Sequence, residues 1–420
     1  MVQVAQYPSP DEIAKTVLTK FDALPSRCKP RALTNGRREW VPLAGIVVIR
    51  DHNFESPLPE TVAPHIECIS IATGMKCLPR DKLPVASGNI LHDWHAEVLA
   101  IRGFNRWIID ECQALVTDGD SVWLQWKKDW YEKEQSMPTS EGHPSIAARP
   151  FELKPGVDIH MYVSSAPCGD ASMELVMATQ SDATPWRAPQ PSAAPDDMPG
   201  RAHFDQLGIV RRKPSRPDAP STWSKSCSDK LSMKQCIGLL CGQTSRLVDP
   251  VYLNTLILPV DEVVRSAVQR AFSDEGRMKP LLQEDIQERW NQAGYVFRPF
   301  EITTTQHEFA FSKIASATSS NVAALWTTRQ QEVLVNGVLM GRKQCDPRGA
   351  SCVSRRHMWK ALEKVSIAAG IPGIQALCDR PYSCAKHDMV RAMVKDDVKR
   401  MALLGWRRND GDEDWMLHLG

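Results

Sequence analysis

Apolar positions along the chain follow two patterns that predict different elements. A nearly continuous apolar run at 43–50 predicts a buried strand, and the segments 65–72 and 157–164, where apolar residues are interspersed with polar ones, predict two further strands. From about His95 onwards the apolar residues recur at helical spacing, which predicts a helix packed on a sheet. The apolar residues on that side of the helix are Val98, Ile101, Trp107 and Ile108.

The rest of the chain continues this alternation of elements. Helices are predicted near the N-terminus, after Cys168 and after Cys227, and a strand followed by a helix is predicted over 250–272. A hairpin is predicted around Asn336-Gly337, because this dipeptide is typical of a two-residue turn. The C-terminal part has a helical and basic pattern. Strands that alternate with helices predict an α/β fold.

Two segments interrupt the pattern and predict surface insertions in a single domain over 1–420. The first, 113–155, is polar and rich in aromatic residues. Its tryptophans recur at spacings of three and four, which we interpret as packing against the core; they are Trp123, Trp126 and Trp130. The second, 181–208, is rich in proline and alanine, which is typical of an extended loop.

The composition is that of an ordinary globular protein, with 42% hydrophobic and 24% charged residues. The formal net charge is +1, so binding to nucleic acid would need a local basic surface. The sequence has no long apolar run that could span a membrane, and its first residues lack the pattern of a secretory signal. We therefore expect an intracellular protein, in the cytoplasm or the nucleus, with reduced cysteines.

Three short motifs carry the candidate chemistry. His95 and Glu97 form an HAE triplet at a predicted helix start, and Cys168 in PCGD and Cys227 in SCSDK also precede predicted helices. A helix start favours the thiolate form of cysteine. One imidazole and two thiolates can bind Zn²⁺ and leave its fourth position open, as catalytic zinc requires. Glu97 is close enough to His95 to move protons without binding the metal.

These motifs depart from the signature of the compact zinc nucleobase deaminases, which is H-x-E followed by P-C-x-x-C. Here Gly169, Asp170 and Ala171 follow Cys168, and the next candidate ligand is Cys227. HAE, PCGD and SCSDK in this order resemble the adenosine deaminases that act on RNA and their tRNA-specific relatives. The resemblance extends from about residue 40 to the C-terminus.

The resemblance implies a cytidine-deaminase-like fold, with a mixed central sheet flanked by helices and a helical, basic C-terminal part. It implies zinc-dependent hydrolysis of adenosine to inosine, with Glu97 as the proton shuttle. The tRNA-specific branch is the more similar one, because 213–220 looks like theirs and the chain begins without room for double-stranded-RNA-binding domains. The implied substrate is the anticodon stem-loop of alanine tRNA, at position 37.

Further contacts to the RNA are implied by the same resemblance. The segment from Thr73 to Cys77 resembles the loop that meets the target nucleotide. In it, Lys76 would hold a phosphate and Met75 would border the base. Asp218 falls where the editors of duplex RNA carry the residue that fills the gap left by the flipped base.

Members of the family also bury inositol hexakisphosphate, a polyanion that needs a lining of cations. The residues that match its ligands are Arg102, Lys230, Tyr382, Lys386 and Trp406, and those that match a polar relay to the metal centre are Asp93, Lys213 and Lys230. The chain departs from the family at three places: it has His92 for a usual Asn, Ile101 for a usual Arg, and Met233-Lys234 for a usual Arg-Trp pair.

Two other functions stay open from the sequence. The protein could edit messenger or double-stranded RNA, which a panel of substrates would reveal. It could also be a catalytically silent RNA-binding relative that keeps a structural zinc. An intact Glu97 argues against the silent relative, because a structural zinc site has no use for that carboxylate.

Overall fold

The computed structural model describes residues 7–32, 38–51, 63–128, 130, 149–179, 198, 200, 206–213, 220–371 and 373–417. The strands in these residues are β1 Glu39–Trp40, β2 Leu43–Arg50, β3 His65–Thr73, β4 Leu124–Trp126, β5 Phe151–Leu153, β6 Val157–Val163, β7 Thr255–Pro259, β8 Glu301–Thr305, β9 Thr318–Ser319, β10 Val322–Thr327, β11 Gln331–Val335 and β12 Val338–Leu339. The helices are α1 Pro10–Asp22, α2 Ala96–Asp118, α3 Met173–Ala178, α4 Cys227–Ile237, α5 Arg265–Phe272, α6 Glu284–Gln292, α7 Arg355–Ala368, α8 Ile374–Cys378, α9 Tyr382–Ala385 and α10 Met389–Met401.

The centre of the fold is a mixed sheet. Within the described residues it has eight strands in the order β12-β11-β10-β3-β2-β6-β7-β8. Neighbouring strands are antiparallel from β12 to β6, and β7 lies parallel to both β6 and β8. Helix α2 packs on one face of β2 and β3, and α1 packs on the other. The predicted α/β class with a mixed central sheet flanked by helices is confirmed.

Most of the predicted elements around the central strands are present. The three predicted strands correspond to β2, β3 and β6, and the helix predicted from His95 is α2. The hairpin turns at Asn336-Gly337, between β11 and β12, as predicted. The strand predicted within 250–272 is shorter than the apolar run that begins at residue 250. Only residues Thr255–Pro259, which form β7, pair with neighbouring strands.

The described ends of the 113–155 segment belong to the core. Helix α2 continues to Asp118, and β4 pairs with β5 beside it. Trp123 and Trp130 are buried, and the rings of Trp126 and Phe151 lie 4.5 Å apart. The interpretation of the tryptophans as packing residues is confirmed. Most of the 181–208 segment lies outside the described residues.

No helix within the described ranges is long and apolar enough to cross a lipid bilayer. All twelve cysteines are free.

The close packing of α1 on the sheet gives a test of the fold. A Cβ added at Gly45 on β2 would lie 2.3 Å from Cγ1 of Val17 on α1. We therefore expect Gly45→Ala to lower the free energy of unfolding by about 1–3 kcal/mol through overpacking, as measured by urea denaturation. Adding Val17→Ala makes room for the new methyl group, so the double variant should lose less than the sum of the two single losses.

Gly242→Ala is the matched control for this measurement. A Cβ added there would come no closer than 3.8 Å to its neighbours. Strict additivity of Gly45→Ala and Val17→Ala would contradict the packing described.

Candidate active site

The ends of three elements bring the predicted chemical residues together. His95 is the residue before α2, Cys168 follows β6, and Cys227 is the first residue of α4. The backbone N–H of Cys227 donates to Sγ of Cys168 at 3.3 Å. Ser226 caps α4, since its hydroxyl accepts from the Asp229 N–H at 3.1 Å. The capped helix start therefore presents Cys227 to Cys168.

Gly169 allows this close approach of the two cysteine motifs. Its φ is +104°, a conformation that L side chains rarely adopt. A Cβ at this position would lie 2.3 Å from Oγ of Ser226, the residue directly before Cys227. The glycine of PCGD is therefore required by both its backbone conformation and the nearness of α4.

The two thiols form a coupled pair beside a buried ammonium group. Nζ of Lys213 lies 3.0 Å from Sγ of Cys227. The hydrogen bond from Cys227 lowers the pKa of Cys168 well below its ordinary value, and Lys213 and His95 act in the same direction against burial. Burial and the neighbouring Cys168 raise the pKa of Cys227. The pair thus favours one thiolate, on Cys168.

Asp93 joins the histidine to two lysines. Its Oδ1 lies 2.9 Å from Nδ1 of His95, and its Oδ2 accepts from Nζ of Lys213 at 2.9 Å and from Nζ of Lys230. The hydroxyl of Ser224 also donates to Oδ2, at 2.7 Å. Burial alone would raise the pKa of Asp93, but Lys213, Lys230 and His95 outweigh it and hold that pKa well below the ordinary value. Asp93 is therefore a buried, ionised carboxylate.

Glu97 lies on the first turn of α2 and is buried. Burial, and then the negative charge of Cys168, raise the pKa of Glu97 above its ordinary value. A carboxyl group in this state can hold a proton closer to neutral pH than an exposed one, which suits a general acid and base.

His95, Cys168 and Cys227 offer the nitrogen and sulfur atoms that zinc prefers. In the structure, however, the two cysteine side chains contact other protein groups. A carboxylate paired with the imidazole, here Asp93 with His95, is typical of metal-ligating histidines. In the part of the chain that the structure describes, no three His, Cys, Asp or Glu side chains are arranged so that they could hold a metal ion as they stand. The thiol of Cys227 contacts Lys213, and that of Cys168 contacts Cys227.

The predicted nucleotide loop lies directly beside His95. The N–H of Ala96 donates to the carbonyl of Gly74 at 2.9 Å, and Nδ1 of His95 lies 3.2 Å from the carbonyl of Lys76. The ammonium group of Lys76 contacts Oδ1 of Asn321, and Met75 is half-buried.

Of two residues predicted to meet the RNA, only Thr73 lies within the described residues. Thr73 is buried at the end of β3, and its hydroxyl accepts from the Ala324 N–H at 2.9 Å, so its contacts in the structure are structural. Asp218 lies outside the described residues.

A second cluster of charged and aromatic residues lies near the first, and burial together with the charge of Lys230 lowers the pKa of its Lys225 to about 7. In it, Arg355 and Lys386 lie over the ring of Tyr382, at 5.4 and 5.5 Å from its centre. Arg102 on α2 donates to the Val353 carbonyl at 2.9 Å, and burial lowers its pKa. Trp406 contacts a different cation of this cluster: Nζ of Lys225 lies 5.1 Å from the centre of its ring.

Several cations in this cluster bind backbone carbonyls. Nζ of Lys234 donates to the carbonyls of Leu239 and Leu240 at 2.8 and 3.0 Å. Burial and the neighbouring Arg391 lower the pKa of Lys234 well below its ordinary value, and they lower that of Lys395 to about 7. Cations whose charged form is disfavoured in this way form a site that an anion would stabilise.

Comparison with known proteins agrees with these motifs. Residues 70–409 match the adenosine-deaminase (editase) domain. The chain is 35% identical to a Schizosaccharomyces pombe protein named tRNA-specific adenosine deaminase 1, over 96% of this chain and 95% of the relative. The chain belongs to the adenosine-deaminase (editase) family.

Two further members of the family show lower coverage. A Saccharomyces cerevisiae tRNA-specific adenosine deaminase 1 is 32% identical over 65% of each chain. The Drosophila melanogaster double-stranded RNA-specific editase Adar is 26% identical over 59% of this chain and 33% of its own length.

The second cluster of this editase domain contains cations that are not among the predicted ligands. They are Lys225, Lys234, Arg391 and Lys395. A signal for two of them is present in the sequence, because Arg391, Lys395 and Lys399 recur at helical spacing on α10. What the sequence does not reveal is that this basic side of the helix points inward.

The carboxylate of Asp93 gives a test of this site in the editase domain. Asp93→Asn leaves two ammonium groups without their shared negative charge, so we expect a loss of about 3–5 kcal/mol in the free energy of unfolding. Urea denaturation measures it. Asp81→Asn is the control, since Asp81 is exposed and lies 3.8 Å from Lys82. Equal, small losses for both variants would contradict the role given to Asp93.

Proposed function

We propose that the protein hydrolyses adenosine to inosine in tRNA, with position 37 of the alanine tRNA anticodon stem-loop as the target. The observation that carries the proposal is the meeting of His95, the coupled pair Cys168 and Cys227, and the buried Glu97 beside the Lys76 loop. The names of the relatives from S. pombe and S. cerevisiae support tRNA as the substrate.

We propose His95, Cys168 and Cys227 as zinc ligands, on the chemistry of their donor atoms and the His95–Asp93 contact. Zinc, when bound, lowers the pKa of a coordinated water from about 15.7 to about 7. Cys168 and Cys227 would hold the metal as thiolates, together with the imidazole of His95. The nearby Lys213 would then balance the negative charge of the thiolates.

Glu97 does the proton transfers in this proposal. Its raised pKa lets the carboxylate take one proton of the attacking water and deliver it to N1 of adenine as the C6–O bond forms. Glu97 would then take the proton of the new C6 hydroxyl group and pass it to the amino group, which leaves as ammonia when the C6–N bond breaks. The low-pKa Asp93 stays ionised throughout and orients His95. Lys76 would hold a phosphate and Met75 would border the base, since both lie on the loop next to His95.

We also propose that the second cluster binds inositol hexakisphosphate. Lys234 and Arg391 donate to backbone carbonyls, and burial lowers the pKa values of Lys225 and Lys395 to about 7, so an anion bound among them would favour their charged forms. Arg102, Lys386 and Tyr382 belong to the same cluster, and Lys230, one turn before Lys234 on α4, donates to Asp93. A cytidine-deaminase-like single domain, completed by its basic C-terminal helices, is the fold that this arrangement favours.

The reaction is tested by incubating unmodified alanine tRNA with the protein and sequencing inosine as guanosine. We expect conversion at position 37, and a loss of about 10²- to 10⁴-fold in rate for Glu97→Gln, because that variant cannot transfer the proton. Zinc per chain and affinity for tRNA should stay unchanged in the variant.

Two outcomes would contradict this proposal. One is full activity in Glu97→Gln, which would remove the proton shuttle. The other is conversion of double-stranded RNA and none of tRNA, which would favour the alternative of a messenger or duplex RNA editor.

The polyanion is tested with Lys395→Gln. Removing one charged contact should lower the affinity for inositol hexakisphosphate about 10- to 100-fold, as expected for a hydrogen bond to a charged group. Phosphate analysis of the purified protein, or titration calorimetry, measures the change. Lys364→Gln is the control, since Lys364 is exposed on α7; equal affinities in the two variants would refute the site.

A further inference from the structure

An open pocket of about 600 Å³ lies beside the two clusters and shares Trp406 with the second of them. Its lining includes Arg80, Trp223, Trp406, Arg407, Arg408 and Asp410. Two tryptophans and three arginines in one open pocket are typical of a surface that binds single-stranded nucleic acid, where rings stack on bases and cations meet phosphates.

The centre of the pocket is a stacked pair. The guanidinium carbon of Arg80 lies 4.4 Å from the ring centre of Trp223. Arg80 is exposed and Trp223 is half-buried, so the arginine forms the outer layer of the stack. Bases stack on arginine planes as well as on aromatic rings. A nucleic-acid base can therefore stack on the outer face of the Arg80 guanidinium.

The charge of the pocket favours a phosphate group. Asp410 is its acidic lining residue, and Arg408 already pairs with it at 2.8 Å. Arg408 also pairs with Glu413. The guanidinium of Arg80, by contrast, contacts an uncharged ring. It is thus placed to meet an anion at the outer edge of the pocket.

The pocket is joined to the candidate active site by two short segments. The N–H of Arg80 donates to the Ser221 carbonyl at 2.8 Å. Trp223 directly precedes Ser224, whose hydroxyl donates to Asp93. Lys76, on the loop beside His95, is four residues before Arg80, which limits their Cα separation to about 14 Å. A nucleotide in the pocket would therefore lie close to the reacting one in the same strand.

We propose that this pocket binds a nucleotide flanking the reacting adenosine, with its base stacked on the Trp223–Arg80 pair and its phosphate near Arg80. This inference rests on the proposed function, because it takes the RNA to be the substrate strand. It assigns Arg80 and Trp223 to RNA binding and gives neither a part in the chemical step.

The test measures binding of an anticodon stem-loop RNA by fluorescence anisotropy, in the Glu97→Gln background so that the RNA is not consumed. Arg80→Ala and Trp223→Leu should each weaken binding about 5- to 100-fold, the loss expected for one stacked base. Leucine keeps an apolar side chain against the core, while Trp223→Phe keeps an aromatic ring and should bind nearly as the background does. Arg27→Ala, an exposed arginine next to α1, is the matched control and should have no effect.

RNAs with one abasic nucleotide identify the base in the pocket. Removing one flanking base should weaken binding to the background protein by a similar factor. The same RNA should cause no further loss in Trp223→Leu, because the stack is already absent.

Two results would overturn the inference: wild-type affinity in both Arg80→Ala and Trp223→Leu, or equal abasic penalties in the variants and the background. Its failure is distinguishable from that of the proposed function. If the wild-type protein makes no inosine while Arg80→Ala still weakens RNA binding, the reaction is refuted and the pocket is supported. If inosine forms and both variants bind normally, the pocket is refuted alone.

Discussion

The structure depends on one buried carboxylate, Asp93, which binds a histidine and two lysines at once. A buried carboxylate without partners would be neutral, since desolvation disfavours its charge. Lys213 and Lys230 outweigh that cost and keep Asp93 ionised. Through these contacts the start of α2, the segment before α4, and α4 itself are held at one point. The candidate chemistry lies where they meet.

The same contacts lie between two environments of opposite charge, one rich in negative groups and the other rich in positive groups. Around Cys168 and Glu97, negative groups require a cation, and Lys213 supplies it. Around Lys234 and Lys395, positive groups are crowded and require an anion. Lys230, which is one turn before Lys234 on α4, donates to Asp93 in the first environment. An anion bound among the C-terminal helices would therefore also support the geometry of the candidate active site.

Elements near the motifs were predictable from local pattern, whereas several others were not. Strands β2, β3 and β6 are apolar because neighbours cover both of their faces, and this gives a clear signal. Strand β8 has the sequence EITTT and pairs with β7 at the edge of the sheet. Its sequence contains no apolar run that would predict a strand. Strand β10 is short and lies beside β3 only in the folded sheet. Such pairings depend on distant segments, so local pattern does not reveal them.

The sequence by itself determined the chemical types of the site: an HAE triplet at a helix start, and two cysteines each at a turn into a helix. Spacing and residue type suffice there, because Gly169 and the Ser226 cap are local requirements. Only the tertiary structure decided which cations are buried together and which half-buried tryptophan has an arginine over its ring. Arg391, Lys395 and Trp223 have ordinary local surroundings in the sequence. Their properties come from desolvation and from charges on other elements, which exist only after the chain has folded.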